Sequence, residues 1–458
     1  MKTKLSMLQI TALSAIALTG CGGSGSGGGS GSGGGSGSAD AISAASNSSQ
    51  PFVLQPSSPA GAINRARSAK TNPHDPSSMF VTHDTTAGVQ LRRLDVSAGA
   101  ADLASVDPVT IPGTAGQTAV SEINFADPRR ASLAIADPGA GTNPRVALFN
   151  PAAAQLSTAF EVVDLSNPDL LEITAPANTF NSANAPISGY RVDSPVDSVI
   201  LTSTQGPQLF VAFANRSDPG LQNPGTVCAY DLSTENGQTV VRLAATIVSR
   251  AFNPTELRLV HNAQGAQLLL ASSGVVDPST STRQPAGVEI IDVATLRVTG
   301  EIILESAEFL SALSVSDDAS TAFIATTTPN QDARIFEIDL ATLQTGASHT
   351  LPYRLFNAQA SVGIESSASG DALYVLIPGD RILYTLNRAT GLVESRVDLT
   401  FNNSRSGAGT NIDLPISLTR RTNDADSTLF VLVSPINALL ARSLGQSATI
   451  DVLSPTVR

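Results

Sequence analysis

The sequence spells one apolar unit again and again, and that repetition limits what the chain can fold into. QLFVAFAN (208–215) followed by GTVCAYDLSTENG (225–237), and AFIATTT (322–328) followed by ARIFEIDLATLQTG (333–346), share one pattern. Each reads as an apolar strand, a polar loop, a second strand ending in Asp-Leu, and a turn bearing Thr or Gly. The first strand recurs as MFVTHD (79–84), SLAIAD (132–137), QLLLASSG (267–274), ALYVLIPG (372–379) and TLFVLVSP (428–435), giving seven copies in all. The equivalent bulky positions, Phe80, Leu133, Phe210, Leu269, Phe323, Tyr374 and Phe430, are spaced by 53, 77, 59, 54, 51 and 56 residues. The long second interval predicts an insertion near residues 166–195.

The second strand recurs as VQLRRLDV (89–96), PRVALFNP (144–151), AGVEIIDV (286–293), DRILYTLN (380–387) and, more weakly, NALLARSL (437–444). A third strand follows the turn, as in LAATIV (243–248), TGEIIL (299–304) and SRVDLT (395–400). A fourth precedes the pair, as in VILTST (199–204), LRLVHN (257–262), ALSVSDD (312–318) and ISLTRR (416–421). Four short strands in each 50–60 residues, with no helical period, predict an all-β fold, a seven-bladed β-propeller. One such sheet has two apolar faces and long edges, and standing beside its neighbours in a ring buries both. A parallel β-helix is the rival architecture, but its coils are shorter and lack hairpin-like turns. The first copy has no obvious strand before it, and residues 50–70 or the C-terminal residues are expected to supply one.

Aromatic residues make up only 4% of the chain and tryptophan is absent, so the core is expected to consist of Ala, Val, Leu and Ile. Ala136, Ala212, Ala271 and Ala325 suit crowded strands near an axis. The acid ending the second strand, at Asp95, Asp231, Asp292 and Asp339, with Asn387 in the sixth copy, is read as turn chemistry: its side chain accepts a backbone N–H two residues on. ALSVSDDASTAFIATTTPNQDARIFEIDLATLQTG resembles the YVTN-type repeat of seven-bladed propellers over residues 73–458, although the strict Ser-Pro-Asp-Gly turn of that family is missing.

Ahead of the repeats, Lys2 and Lys4 precede an apolar stretch from Leu5 to Gly20, too short and too polar for a stable span and suited to a secretory signal peptide. Leu18-Thr19-Gly20-Cys21 resembles the lipobox of bacterial lipoproteins. That resemblance implies cleavage after Gly20, diacylation of the Cys21 sulfur, and a membrane partner held through the N-terminal lipid. Several acyl chains anchor well because each buried methylene contributes about 0.8 kcal/mol. Gly22 rather than Asp after the cysteine implies sorting to the outer membrane, periplasmic or surface-facing. Residues 22–38 are only Gly and Ser, a flexible coil of roughly 20–25 Å end to end, and residues 39–72 extend the spacer. The domains are therefore read as 1–20 signal peptide, 21–72 tether and 73–458 propeller, the last expected to be monomeric.

With Cys21 acylated, Cys228 has no disulfide partner and is expected to act as a small buried apolar group. The formal charge of -12 becomes -14 on removal of Lys2 and Lys4, which argues against nucleic-acid binding. There is no GxSxG, Walker loop or zinc spacing, so no catalytic residue, cofactor or metal is assigned, and His74, His83, His261 and His349 are read as structural or solvated. The acids in SDD (316–318) and NDADS (423–427) are read as turns. One feature stands out: copies two to four carry long loops between their first and second strands, ADPGAGTNP, SDPGLQNPG and VDPSTSTRQPAG, placing Asp137, Asp218 and Asp277 on one face of the disc. These acids are the candidate binding residues, and an Asp-Pro turn initiator explains the same spelling. The expected function is a binding or scaffolding module for a protein or glycan partner. The alternative is a lactonase-like hydrolase with its site at the channel mouth, which an ordered His261 beside channel acids would favour.

Overall fold

Alternation in one strand shows how the repeat builds its architecture. In Gly206–Phe213 every residue from Leu209 to Phe213 is fully buried. Leu209, Val211 and Phe213 pack against Val146 and Leu148 of the preceding copy, whereas Phe210 and Ala212 pack against Leu268 and Leu270 of the next. A strand buried on both faces reads as a continuous apolar run, as this one does. All seven bulky positions identified from the sequence, from Phe80 to Phe430, are buried in this way.

The structure is a computed structural model. It describes residues 52–453 apart from 54–64, 86, 98–107, 115–118, 137–143, 166–172, 176, 178, 182–184, 205, 216–222, 277–282, 285, 305–308, 328–331, 355–362, 378–381, 399–412, 422–427 and 436–448. Each copy forms an antiparallel sheet. Copy three is typical, with Pro195–Ser203, Gly206–Phe213, Thr226–Glu235 and Gln238–Val248 paired in that order. Copies four, five and six follow the same order, with inner strands Pro254–Asn262, Phe309–Val315 and Gly363–Ser366. The inner strand is the one that precedes the repeat pair in sequence, and the inner strands of successive copies lie side by side from copy two to copy seven and again from copy seven to copy one.

The structure has six four-stranded blades, not the seven expected from the sequence. Six of these sheets have four strands; the sheet of copy two has five, because two short pieces, Ala119–Val120 and Asn124–Asp127, both pair with Arg130–Ala136. The break between them carries Glu122 and the buried Ile123. The insertion after copy two holds an extra hairpin, Ile173–Thr174 with Gly189–Tyr190.

The missing inner strand of copy one is Arg65–Asn72, which pairs with Asp75–Thr85. In the last sheet Asp413–Arg420, Leu429–Pro435 and Thr449–Leu453 are joined by Phe52–Val53 at the outer edge. Two segments inside 21–72, the stretch read as tether, are thus strands of the folded ring. The small and buried Ala66, Ser68 and Ala69 let Arg65–Asn72 fit against the last sheet. The weak second strand proposed at 437–444 lies outside the described residues, and Thr449–Leu453 takes its place in the sheet.

First and last copies meet directly. Met79, Val81 and Leu94 share a core with Phe430 and Leu432, and the Thr71 and Thr419 hydroxyls are 3.0 Å apart. Ser417 accepts the Ala69 N–H at 3.3 Å and donates to the Ala69 carbonyl at 3.0 Å. The chain is therefore a closed circuit of sheets.

Candidate functional site in the central channel

The axis was expected to be lined with small residues. Instead Ala212, Ala271 and Ala325 sit on the first strand of the repeat pair, one strand out from the axis and buried between sheets, and Ala136 is half-buried. The inner strands carry charge.

The arrangement starts from the backbone. An inner strand is a sheet edge whose outward N–H groups need partners. Five inner strands bulge at the same place, at Ala66/Ser68, Pro195/Asp197, Pro254/Glu256, Leu310/Ala312 and Pro415/Ser417. A bulge re-aims the side chain that follows it. In three cases that side chain caps the next inner strand: Asp197 accepts the Leu257 N–H at 2.9 Å, Glu256 accepts the Leu313 N–H at 2.9 Å, and Ser417 accepts the Ala69 N–H.

Arg258, two residues beyond the bulge, ties these acids together. Its guanidinium contacts Glu256, lies 3.1 Å from Glu122 and 3.5 Å from Asp197, and donates to the Asn124 side-chain Oδ1 at 3.0 Å. Asn124 in turn donates to Asp197 at 2.8 Å. Lys70 extends the network across the axis, 3.9 Å from Glu122 of copy two and 3.6 Å from Glu365 of copy six. Register explains why they meet: Lys70, Arg258 and Glu365 lie opposite Phe80, Leu269 and Tyr374, which are equivalent positions of their copies. A second tie joins Arg420 of copy seven to Asp317 of copy five, with both carboxylate oxygens at 2.6 Å.

Four carboxylates face two cations here, and their titration shows the imbalance. Burial pushes Asp197 up to about 6, although Arg258 and the Leu257 and Ser198 N–H groups favour its ionised form. Burial likewise pushes Glu256 up to about 7 against the pull of Arg258, and raises Glu365. For Glu122 burial also acts upward, but Lys70 and Arg258 outweigh it and hold the carboxyl below its ordinary range. Burial disfavours the charged Arg258, yet Glu256, Glu122 and Asp197 raise its pKa overall.

Asp137, Asp218, Asp277 and Cys21 fall outside the described residues. Nevertheless the stem of the Asp218 loop is anchored, since the Gly225 N–H donates to Ala251 and the Ser249 N–H to Gly225, both at 2.9 Å. His261 is exposed at the end of its strand, and no ion pair or hydrogen bond joins it to the channel acids among the described residues. His83 is fully buried, and burial with the Arg92 charge pushes it down to about 3. His349 is buried 2.8 Å from Glu337, which Arg388 also engages at 3.0 Å. Burial raises Cys228 to about 12.

The strand-ending acids are turn formers where the strand ends at them. Asp95 accepts the Ser97 N–H at 2.8 Å, Asp292 that of Thr295 at 2.7 Å, and Asp339 those of Ala341 and Thr342 at 2.8 Å. Asn387 does the same for Thr390 at 3.0 Å. Asp231 differs because its strand runs on to Glu235, and it accepts from the Gln208 side chain instead. In SDD, Asp318 caps Ser320 while Asp317 is the partner of Arg420; NDADS lies largely outside the described residues. Among the described residues no three His, Cys, Asp or Glu are placed to hold a metal.

No protein-family model matches the sequence, and no curated protein matches it. Solved structures do. A Kuenenia stuttgartiensis hydrazine synthase chain aligns at 14% identity over 89% of this chain and 100% of its own, with a TM-score of 0.51. The β-propeller domain of Myceliophteria thermophila Cps50 (Swd1) aligns at 11% identity over 86% of this chain and 98% of its own, TM-score 0.50. The Dos1 propeller aligns at 11% identity over 89% and 95%, TM-score 0.51. The fold is an all-β propeller. At such identities the likeness is one of fold alone.

Proposed function

We propose that this chain is a lipid-anchored envelope protein whose closed propeller is a binding or scaffolding module for a protein or glycan. The observation that carries this reading is the paired channel. Lys70, Glu122, Asp197, Glu256, Arg258 and Glu365 engage one another and the backbone of neighbouring inner strands, so the axis works as a hub that stiffens the ring. Recognition then falls to the rim, where the loops bearing Asp137, Asp218 and Asp277 are the most elaborated text in the repeat. The YVTN-like spelling of the repeats and the Leu-Thr-Gly-Cys21 motif support the remaining parts: a secreted propeller, acylation at Cys21 and an outer-membrane address.

Two experiments test this. Cys21→Ser should release the protein from the membrane fraction as an unprocessed precursor, and unchanged fractionation would remove the anchor. A photo-crosslinker at Asn223, beside the Asp218 loop, should capture a discrete envelope partner in intact cells. Capture that survives joint replacement of Asp137, Asp218 and Asp277 by Asn would retire those acids as the binding residues.

A further inference from the structure

Under the connection from the copy-three sheet to the copy-four sheet, beside Gly225, lies a cavity of about 150 Å³. Its roof is the connection Arg250, Ala251 and Phe252, and its wall is formed by Gly287, Val288, Glu289, Glu301 and Ile303. By volume it takes several waters or the end of a short aliphatic chain.

Its chemistry is uneven. Glu289 is buried, 1% exposed, and receives the Ser249 hydroxyl and, at 2.8 Å, the Arg250 N–H. These bonds hold the roof in place and would suffice for a structural clamp. Two features go beyond a clamp. Glu301 stands directly opposite Glu289 in the ladder, a like-charge pair that disfavours the empty site. Burial and the Glu301 charge both raise the Glu289 carboxyl, although the Ser249 and Arg250 hydrogen bonds oppose this. The only cation lining the cavity, Arg250, reaches no closer than 3.8 Å to Glu301 and is 79% exposed. Beside the acids Ile303 leaves 49% of its surface in water, one of four large apolar residues so exposed among those described.

A cavity with two carboxylates, one weak counter-ion and a greasy lip suits a ligand with a cationic head on an aliphatic stem. We propose that it receives an alkylammonium group, the lysine side chain of a protein partner. This rests on the reading of the loop face as the binding face, and it supplies the partner's chemistry. The ammonium sits between Glu289 and Glu301, its methylenes lie along Ile303 and the Gly287–Val288 backbone, and Arg250 swings out to solvent. Gly287 lets the paired strand come close at the wall, since a Cβ there would meet the Ile302 carbonyl oxygen at 2.5 Å.

Calorimetry on the purified full chain tests this with Nα-acetyl-L-lysine methylamide against its uncharged analogue, Nα-acetyl-L-norleucine methylamide. The lysine amide should bind and the norleucine amide should not. Glu301→Gln, on a partly exposed side chain that supports no other part of the fold, should weaken binding about tenfold. Ile303→Arg, which plants a cation at the lip, should abolish it. Equal binding of the two amides, no heat at about 10 mM ligand, or unchanged affinity in Glu301→Gln would overturn the proposal. The Asn223 crosslink separates the two ideas: crosslinking that persists while the lysine amide fails removes only the pocket, whereas lysine binding without any crosslinked partner removes the scaffold reading.

Discussion

Replacing Arg258 by methionine removes the charge that faces Glu122, Asp197 and Glu256 at once, while keeping most of the side-chain stem. Arg258 is 15% exposed and Asp197 only 3%, so the carboxylates left behind have little water to turn to. Breaking a buried ion pair from one side costs about 3–5 kcal/mol. A domain of this size loses about 1–2 °C of melting temperature per kcal/mol, so a drop of about 3–10 °C is expected. The acid side of the titration sets the sign of the pH dependence. Asp197 and Glu256 have folded values of about 6 and 7 against ordinary values of 3.8 and 4.5. The folded state therefore holds protons that the unfolded state has released, and their contribution is complete below the ordinary values and lost as pH rises through about 7. Glu122 is shifted the other way, so its contribution is lost only on acidification below its ordinary 4.5. Without Arg258 the three acids bind protons more tightly still, so the variant should lose more against the parent at pH about 8 than at pH about 5.5. Differential scanning fluorimetry of parent and variant across that range measures it. Equal melting temperatures at pH about 8, or a deficit that does not shrink on acidification, would refute the hub.

Two further outcomes follow from the packing. Phe430→Ala empties a site that is 1% exposed in the core shared by the first and last copies, with Arg421 stacked 5.5 Å from the ring centre, and should cost about 3–5 kcal/mol by denaturant unfolding; a loss below about 1 kcal/mol would argue against that closure. In a Cys21→Ser background, Cys228 should resist maleimide in the native state and react once unfolded, because burial raises its thiol to about 12. Rapid native labelling would contradict its place in the core.

Much of the architecture was legible because the repeat is carried by apolar runs, and a strand buried on both faces must be apolar throughout. The seven bulky positions and the order of strands within a repeat come straight from that constraint. The split inner strand of copy two was not legible, since SEINFAD (121–127) without regular alternation gives no strand signal; here Ser121-Glu122-Ile123 interrupts the pairing. Arg65–Asn72 was hidden for a similar reason, because RARSAKTN looks like spacer until its alanines are placed against the last sheet. The channel hub left a trace that went unread: Pro195-Val196-Asp197, Pro254-Thr255-Glu256 and Pro415-Ile416-Ser417 share one spelling, with proline at the bulge and an acceptor two residues on. Proline belongs at such a point because it lacks the N–H that a regular ladder would use. That Asp197 and Glu256 then converge on Arg258 depends on ring geometry, which no single segment encodes.

The closed circuit is tested most directly by a disulfide across its seam. Thr71 and Thr419, from the first and last copies, present hydroxyls 3.0 Å apart across 348 residues of sequence. In a Cys21→Ser background the double variant Thr71→Cys, Thr419→Cys should form an intramolecular bond on mild oxidation, seen as a gel shift and as one linked peptide pair by mass spectrometry, with Cys228 left free. Thiols that stay reduced, or that link only between molecules, would mean that the two ends of the chain do not meet.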